Sequence, residues 1–268
     1  MPIKIYSVRD VPAPGRKRLF TSTLLHWFRR YGRDLPWRRT RDPYRILVSE
    51  FMLQQTQVER VKDYYRRFFR KFPALEELAG AEEDDVLEVW EGLGYYNRAK
   101  NLHRTARILR DEHNGEFPRS FDELTALPGI GRYTAGAILS FAFHDTAPIL
   151  DTNVERVLER IFVKRRHSSP ARQEKRLWKL AESLLEREYV WEMNQALIDF
   201  GATVCTAQRP KCGGCPMKSF CMEFDRRRSP QLELPYQENG QSLGKAAEPY
   251  IPYSPDLGSD GRESREAE

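Results

Sequence analysis

Four cysteines, with none elsewhere in the chain, fall between residues 205 and 221 as Cys205, Cys212, Cys215 and Cys221, spaced C-x6-C-x2-C-x5-C. Thiols packed this closely read as one ligand set for one metal centre, not as scattered structural residues. Disulfides would need an oxidising compartment, and Met1–Asp10 carries no apolar run of the secretory kind. Thiolates suit both zinc and iron–sulfur clusters, so the spacing alone leaves both open. Zinc sites more often use two C-x2-C knuckles, and here only Cys212 and Cys215 form one. That difference leans toward a [4Fe–4S] cluster.

The charge is unevenly spread. Residues 229–268 hold 8 acidic and 3 basic side chains, a net −5, so with the whole chain at +5 the first 228 residues carry about +10. A basic body with an acidic tail points to a polyanionic partner, most simply nucleic acid; a solvated, highly charged surface is the other reading. The tail (229–268) is rich in Pro, Gly, Ser and Glu without periodicity, which predicts disorder. Residues 1–18 read as an extended arm. No apolar stretch is long enough to span a bilayer. With no targeting signal, the expected location is intracellular, in the cytoplasm or at the nucleoid.

Between arm and tail the apolar residues recur at helical spacing, and convincing strand alternation is absent, so the class is all-α. Helices are predicted at Leu19–Tyr31, from Pro43 through Phe51 into Leu53–Phe69, at Ala74–Leu78, Glu82–Glu91 and Arg98–His113. More follow at Phe121–Ala126, Tyr133–Phe143, Thr152–Phe162, Ala171–Glu186 and Met193–Gly201.

Leu127-Pro128-Gly129-Ile130-Gly131 lies between two of these segments. Glycines flanking one aliphatic residue make a tight turn whose N–H groups, with the start of the next helix, suit a phosphate. An ordinary helix corner would look similar. Followed by Arg132-Tyr133-Thr134-Ala135-Gly136-Ala137-Ile138, with Asp151 about twenty residues on, the stretch resembles the helix-hairpin-helix of the DNA glycosylase superfamily that includes endonuclease III and MutY. The resemblance runs from about Thr21 to Cys221. Leu35-Pro36-Trp37-Arg38, Val48–Val58 with its Gln54-Gln55-Thr56 run, Trp90–Tyr96, Asn194-Gln195-Ala196-Leu197 and the cysteine spacing look specifically like MutY-type adenine glycosylases.

Hydrolysis of an N-glycosidic bond needs one carboxylic acid to protonate the leaving base and one carboxylate to stabilise the sugar cation. Glu50 sits inside the apolar run Ile46–Leu53, an expensive place for a carboxyl unless it is exposed or functional. The resemblance makes it the acid, with a pKa raised by burial. Asp151 reads as a helix N-cap; the resemblance makes it the carboxylate facing the sugar, oriented by Asn153. Tyr133 stands where bifunctional relatives carry a Schiff-base lysine, which implies a monofunctional enzyme with little lyase activity. Gln55 and Tyr95 match the residues that fill the space left by an extruded base. Trp37, Arg38, Leu53 and Gln195 match the adenine pocket. Gly129, Gly131 and Arg132 are the expected phosphate contacts of the hairpin. Arg209 and Lys211, inside the loop closed by Cys205 and Cys212, put positive charge where a phosphate could meet it. The cysteine spacing is the one that holds a [4Fe–4S] cluster in this superfamily.

The resemblance therefore implies a six-helix barrel domain with the hairpin at 39–143 and an iron–sulfur domain from 19–38 and 144–228, flanking a DNA-binding cleft. The expected activity is removal of adenine opposite guanine or 8-oxoguanine from double-stranded DNA, by a monomer. Two departures stand out. The polar tail is not expected to form the 8-oxoguanine recognition domain typical of MutY, and Thr152 replaces a glycine frequent after the aspartate. A sister family that removes thymine or uracil opposite guanine shares the tyrosine and also lacks that domain. A non-catalytic iron–sulfur DNA-binding protein is the reading from another class, but binding alone needs neither Glu50 nor Asp151.

Overall fold

A helix that is buried on all sides must lie at the centre of its domain. The helix Arg132–Ala142 is of this kind, with every residue from Thr134 to Phe141 buried. The computed structural model, which describes residues 12–163 and 169–228, has twelve α-helices among those residues, this one included. They are α1 (Pro14–Tyr31), α2 (Pro43–Leu53), α3 (Val58–Lys71), α4 (Leu75–Gly80), α5 (Glu83–Trp90), α6 (Asn97–His113), α7 (Phe121–Ala126), α8 (Arg132–Ala142), α9 (Thr152–Phe162), α10 (Pro170–Leu184), α11 (Val190–Thr203) and α12 (Met222–Arg228). No strand occurs among the described residues, as an all-α class requires, and no helix there is long and apolar enough to cross a membrane. Most of the expected arm and the whole acidic tail lie outside the described residues.

The packing falls into two sets. Helix α2 packs on α3, α6 and α8, with α4, α5 and α7 completing that set. Helix α9 packs on α10, α11 and α12, and α11 packs on α1. Contact between α11 and α8 joins them. Asn194 of α11 seals this junction: its amide donates to Ser140 Oγ and to the Ala147 carbonyl, both at 2.9 Å.

Two close approaches bring the ends of these helices together. A Cβ on Gly136 of α8 would lie 2.4 Å from the Pro148 carbonyl oxygen, so only glycine lets the segment entering α9 cross α8 here. A Cβ on Gly201 of α11 would lie 2.7 Å from Asn153 Cβ, so α11 presses directly on the first turn of α9. Both contacts fix where α9 begins.

The structure corrects the sequence reading in two places. Helix α1 starts at Pro14, not Leu19, because proline is well suited to a first turn. Arg16 then reaches across to donate to the carbonyls of Ile161 and Phe220 at 2.9 and 2.8 Å. The helix expected to run from Pro43 on through Phe69 is broken after Leu53, and Gln55 adopts a left-handed φ of 54°. The cause is Arg98 of α6, whose guanidinium takes the carbonyls of Phe51, Met52 and Gln54 that a continuing helix would have used. The short α12, within a highly charged stretch, was not anticipated.

Gly136→Ala should destabilise the protein by about 1–3 kcal/mol, since the rigid Pro148 backbone cannot yield. Gly80→Ala should be nearly silent, because its nearest neighbour, Arg110 Nη1, is 3.9 Å away. Denaturant titration of the cofactor-loaded protein checks this; equal midpoints for the two variants would refute the close crossing.

Candidate active site

The N-terminus of α9 faces α2 across a cleft open to solvent. Asp151 caps α9: Oδ1 accepts from the backbone N–H groups of Asn153 (2.9 Å) and Val154 (2.7 Å). Oδ2 accepts from the Asn153 side-chain amide at 2.9 Å. Asn153 is held in turn by Arg156, which donates to its Oδ1 at 2.8 Å. Arg156 also donates to the carbonyls of Gly201 and Cys205, both at 2.8 Å. A capping carboxyl gripped by three donors is fixed in direction.

Glu50 approaches from the opposite wall. It is 5% exposed on the buried helix α2. Burial pushes its pKa up to about 7. A hydrogen bond with Tyr133 and the charge of Arg38 pull it down, and Asp151 pushes it up. Tyr133, in the first turn of α8, is kept as a neutral phenol by burial and by both carboxyl groups. Tyr133 and Glu50 therefore share one hydrogen bond while Asp151 stands nearby, and all three line the cleft. Two carboxyl groups in one cleft, one pushed by burial toward keeping its proton and one gripped by three donors, can act chemically as an acid facing a fixed carboxyl group.

The pocket floor is built by α11 and the turn Pro36–Arg38. Gln195 is 5% exposed and Trp37 6% exposed, yet both line the cleft, as do Leu53 and Gln55. Trp37 also packs edge-on against Tyr65, so it serves core and cleft together. Arg38 is more constrained than its sequence suggested. Its Nη1 and Nη2 each donate to the fully buried Asp199 at 2.8 Å, and Arg33 adds Nε at 2.7 Å and its backbone N–H at 2.8 Å. Arg38 Nε is buried with no partner.

The other expected residues lie outside the cleft lining. Tyr95 is 61% exposed with φ 52°, the same left-handed conformation as Gln55. In the hairpin, Ile130 is buried while Gly129 (φ 76°) and Gly131 are exposed. A Cβ on Gly129 would be 2.9 Å from both Phe51 and Asn101 side chains, so turn and packing both require glycine. Arg132 is exposed and stacks on Trp178 at 4.0 Å. Arg209 and Lys211 are exposed in their loop.

The four cysteines line a single cavity with the apolar Ile161, Phe200 and Met217. Arg160 braces it, donating to Thr206 and Ala207 carbonyls at 2.7 and 2.9 Å with Nη1 3.5 Å from Cys205 Sγ. A lone zinc ion needs its ligands to converge on one point. Among the described residues no three His, Cys, Asp or Glu side chains do so. Thiols ringing an apolar-walled cavity with a guanidinium beside one sulfur fit a cluster.

Sequence reasoning missed Arg33, Arg98, Arg156 and Asp199. Only Asp199 left a signal, as an acid within the apolar run Ala196–Phe200.

Residues 48–183 match the HhH-GPD superfamily of base excision DNA repair proteins, and residues 205–221 match the iron-sulfur binding domain of endonuclease III. The adenine DNA glycosylase of Buchnera aphidicola subsp. Baizongia pistaciae is 45% identical over 207 residues, covering 77% of this chain and 58% of that protein. The human adenine DNA glycosylase is 43% identical over 222 residues, covering 80% and 41%. The chain thus spans about half the length of these relatives. A thermostable thymine-DNA glycosylase has a similar structure, with TM-score 0.73 and 32% identity over 79% of this chain and 98% of that one. Endonuclease III in a non-covalent DNA complex gives TM-score 0.68 and 29% identity, covering 81% and 99%. The chain belongs to the HhH-GPD superfamily of base excision DNA repair proteins, and its four cysteines form an iron–sulfur domain that binds a [4Fe–4S] cluster.

Glu50 should cost stability when ionised. Below pH 4.5, its ordinary value, folded and unfolded chains both hold the proton; between 4.5 and about 7 only the folded chain does. Stability from this group is therefore full at low pH and is lost as pH rises through about 7. Glu50→Gln should match wild type at pH 4.5 and exceed it by up to about 3 kcal/mol at pH 8. A stability difference independent of pH, measured by urea titration, would show that Glu50 is not desolvated.

Proposed function

We propose that this chain is a monofunctional DNA N-glycosylase that removes adenine mispaired with guanine or 8-oxoguanine. The observation that carries the reading is the buried Glu50 carboxyl, bonded to Tyr133 within the cleft that Asp151 enters. Glu50 donates its proton to a ring nitrogen of the extruded purine. The glycosidic C–N bond then breaks and its electron pair leaves with the base. Asp151, gripped by Asn153 and the α9 N-terminus, stabilises the sugar cation. Water adds to the sugar carbon and its proton returns to Glu50, closing the cycle. Tyr133 holds the acid in register and, lacking an amine, offers no Schiff base.

Gln195 can donate to and accept from a purine edge, with Trp37 and Leu53 as apolar walls. Arg38 borders that pocket, and Asn153 acts by orienting Asp151. Gln55 and Tyr95, both exposed and both in left-handed turns, fill the gap left by the extruded nucleotide. The hairpin amides at Gly129 and Gly131, with Arg132, Arg209 and Lys211, meet phosphates. When bound through Cys205, Cys212, Cys215 and Cys221, the cluster supplies iron–thiolate bonds that fix the loop 205–221. We read the helix set around α2 and α8 as the barrel domain (39–143) and the set around α9 and α11, with 19–38, as the iron–sulfur domain. The partner is double-stranded DNA bearing a mismatch, bound by a monomer. Identity to adenine glycosylases supports the base assignment. The likeness to a thymine-DNA glycosylase favours a second reading, removal of thymine or uracil opposite guanine.

Single-turnover base release from A:8-oxoG, A:G, T:G and U:G duplexes should separate the two readings: adenine release is expected, and thymine or uracil release would install the second. Strands should stay intact until alkali is added. Glu50→Gln should slow release by roughly 10²-fold or more. Because the acid must be protonated, the wild-type rate should be flat below a limb at about pH 7 and fall with rising pH above it. A rate that rises through pH 7 would contradict the role of Glu50 as acid.

A further inference from the structure

Arg98 of α6 is 7% exposed, and the oxygens its guanidinium bonds are carbonyls and a hydroxyl. Nη1 donates to the carbonyls of Phe51 (3.0 Å), Met52 (2.9 Å) and Gln54, and to Thr56 Oγ1 at 3.0 Å. Nη2 donates to the carbonyls of Leu93 (3.3 Å) and Gly94 (3.0 Å). The guanidinium also lies over the rings of Trp90 and Tyr95, at 5.5 and 5.3 Å. Trp90 Nε1 reinforces the second turn by donating to the Gly94 carbonyl at 3.1 Å. One cation thus binds two turns distant in sequence. The first presents Gln55 and the second Tyr95, two of the four left-handed non-glycine residues among the described residues, at φ 54° and 52°. Such conformations persist only where surrounding contacts enforce them.

We propose that Arg98 is a positioning residue for base extrusion, holding the Gln55 and Tyr95 turns as one rigid wedge. The inference rests on the glycosylase reading above. It separates two steps of that activity: Arg98 serves opening of the duplex, while Glu50 and Asp151 serve bond cleavage. A lysine at 98 keeps the charge but loses the fork that spans both turns.

The test compares single-turnover adenine release from a paired A:G duplex and from the same adenine in an unpaired bubble, where extrusion costs little. Arg98→Lys should slow release from the duplex about tenfold or more and leave the bubble rate within about twofold. Emission from 2-aminopurine at the target position, which reports unstacking, should fall in parallel. If Arg98→Lys does not fold, Gly94→Ala serves instead. No atom lies within 4 Å of its new Cβ, but its φ of 77° strains the Tyr95 turn, and the same substrate contrast is expected. Equal loss on both substrates, or no loss on either, would overturn the proposal. Wild-type protein that releases no adenine from either substrate would instead refute the glycosylase reading.

Discussion

The cost of burying the Glu50 carboxyl governs the layout of the cleft. An acid that must keep its proton near neutrality needs a dry site and must not be given a strong cationic partner. The charge of Arg38 is felt by Glu50 and pulls its pKa down. Arg38 is not free, because both terminal nitrogens are bound to the fully buried Asp199. Burial pushes Asp199 up, but the bonds from Arg38 and Arg33 outweigh it and keep the carboxylate ionised. Asp199 therefore holds the Arg38 charge in an ion pair beside Glu50. The same clamp anchors the turn carrying Trp37, so pocket shape and proton affinity share one support.

The opposite wall follows a different logic. Asp151 receives donors instead of hydrophobic cover. Those donors continue outward: Asn153 is held by Arg156, and Arg156 by the carbonyls of Gly201 and Cys205. Helix α9 thus carries the carboxylate at its N-cap and, through Arg156 and Arg160, grips the cysteine loop further along the same helix. Folding of that loop and aim of the carboxylate are linked through a single rigid helix. Gly201 makes the arrangement possible, since any side chain there would push α11 off the first turn of α9.

Much of this was legible in the sequence, and the failures share a cause. Helices with an apolar stripe, such as α9 and α10, were found within a residue or two because periodicity reports burial. Glu50 and Gln195 stood out through the motifs around them, and the cleft brings them together with Asp151, Tyr133 and Trp37. The break after Leu53 was not visible, because it is imposed by Arg98, more than forty residues away. An arginine in a helix reads as solvated surface, and nothing local reveals that its guanidinium is buried among carbonyls. Arg156 was hidden in the same way. Polar residues acting over long sequence separations leave no periodic trace.

The same arginines change what the charge of the chain means. The excess of about +10 in residues 1–228 was read as a footprint for a polyanion. Yet Arg98 and Arg156 face carbonyls, and Arg38 and Arg33 face Asp199. Arg16 ties α1 to Ile161 and Phe220. These cations are joints of the structure. Each is bonded to oxygens within the fold, and a phosphate could reach them only by breaking those contacts. The strength of nucleic-acid contacts depends on the phosphates neutralised at the surface, not on net charge. We propose that role for exposed groups such as Arg209, Lys211 and Arg132, with the uncharged amides of the hairpin. A basic composition in this chain is therefore first a statement about how helix ends and loops are tied, and only second about a partner.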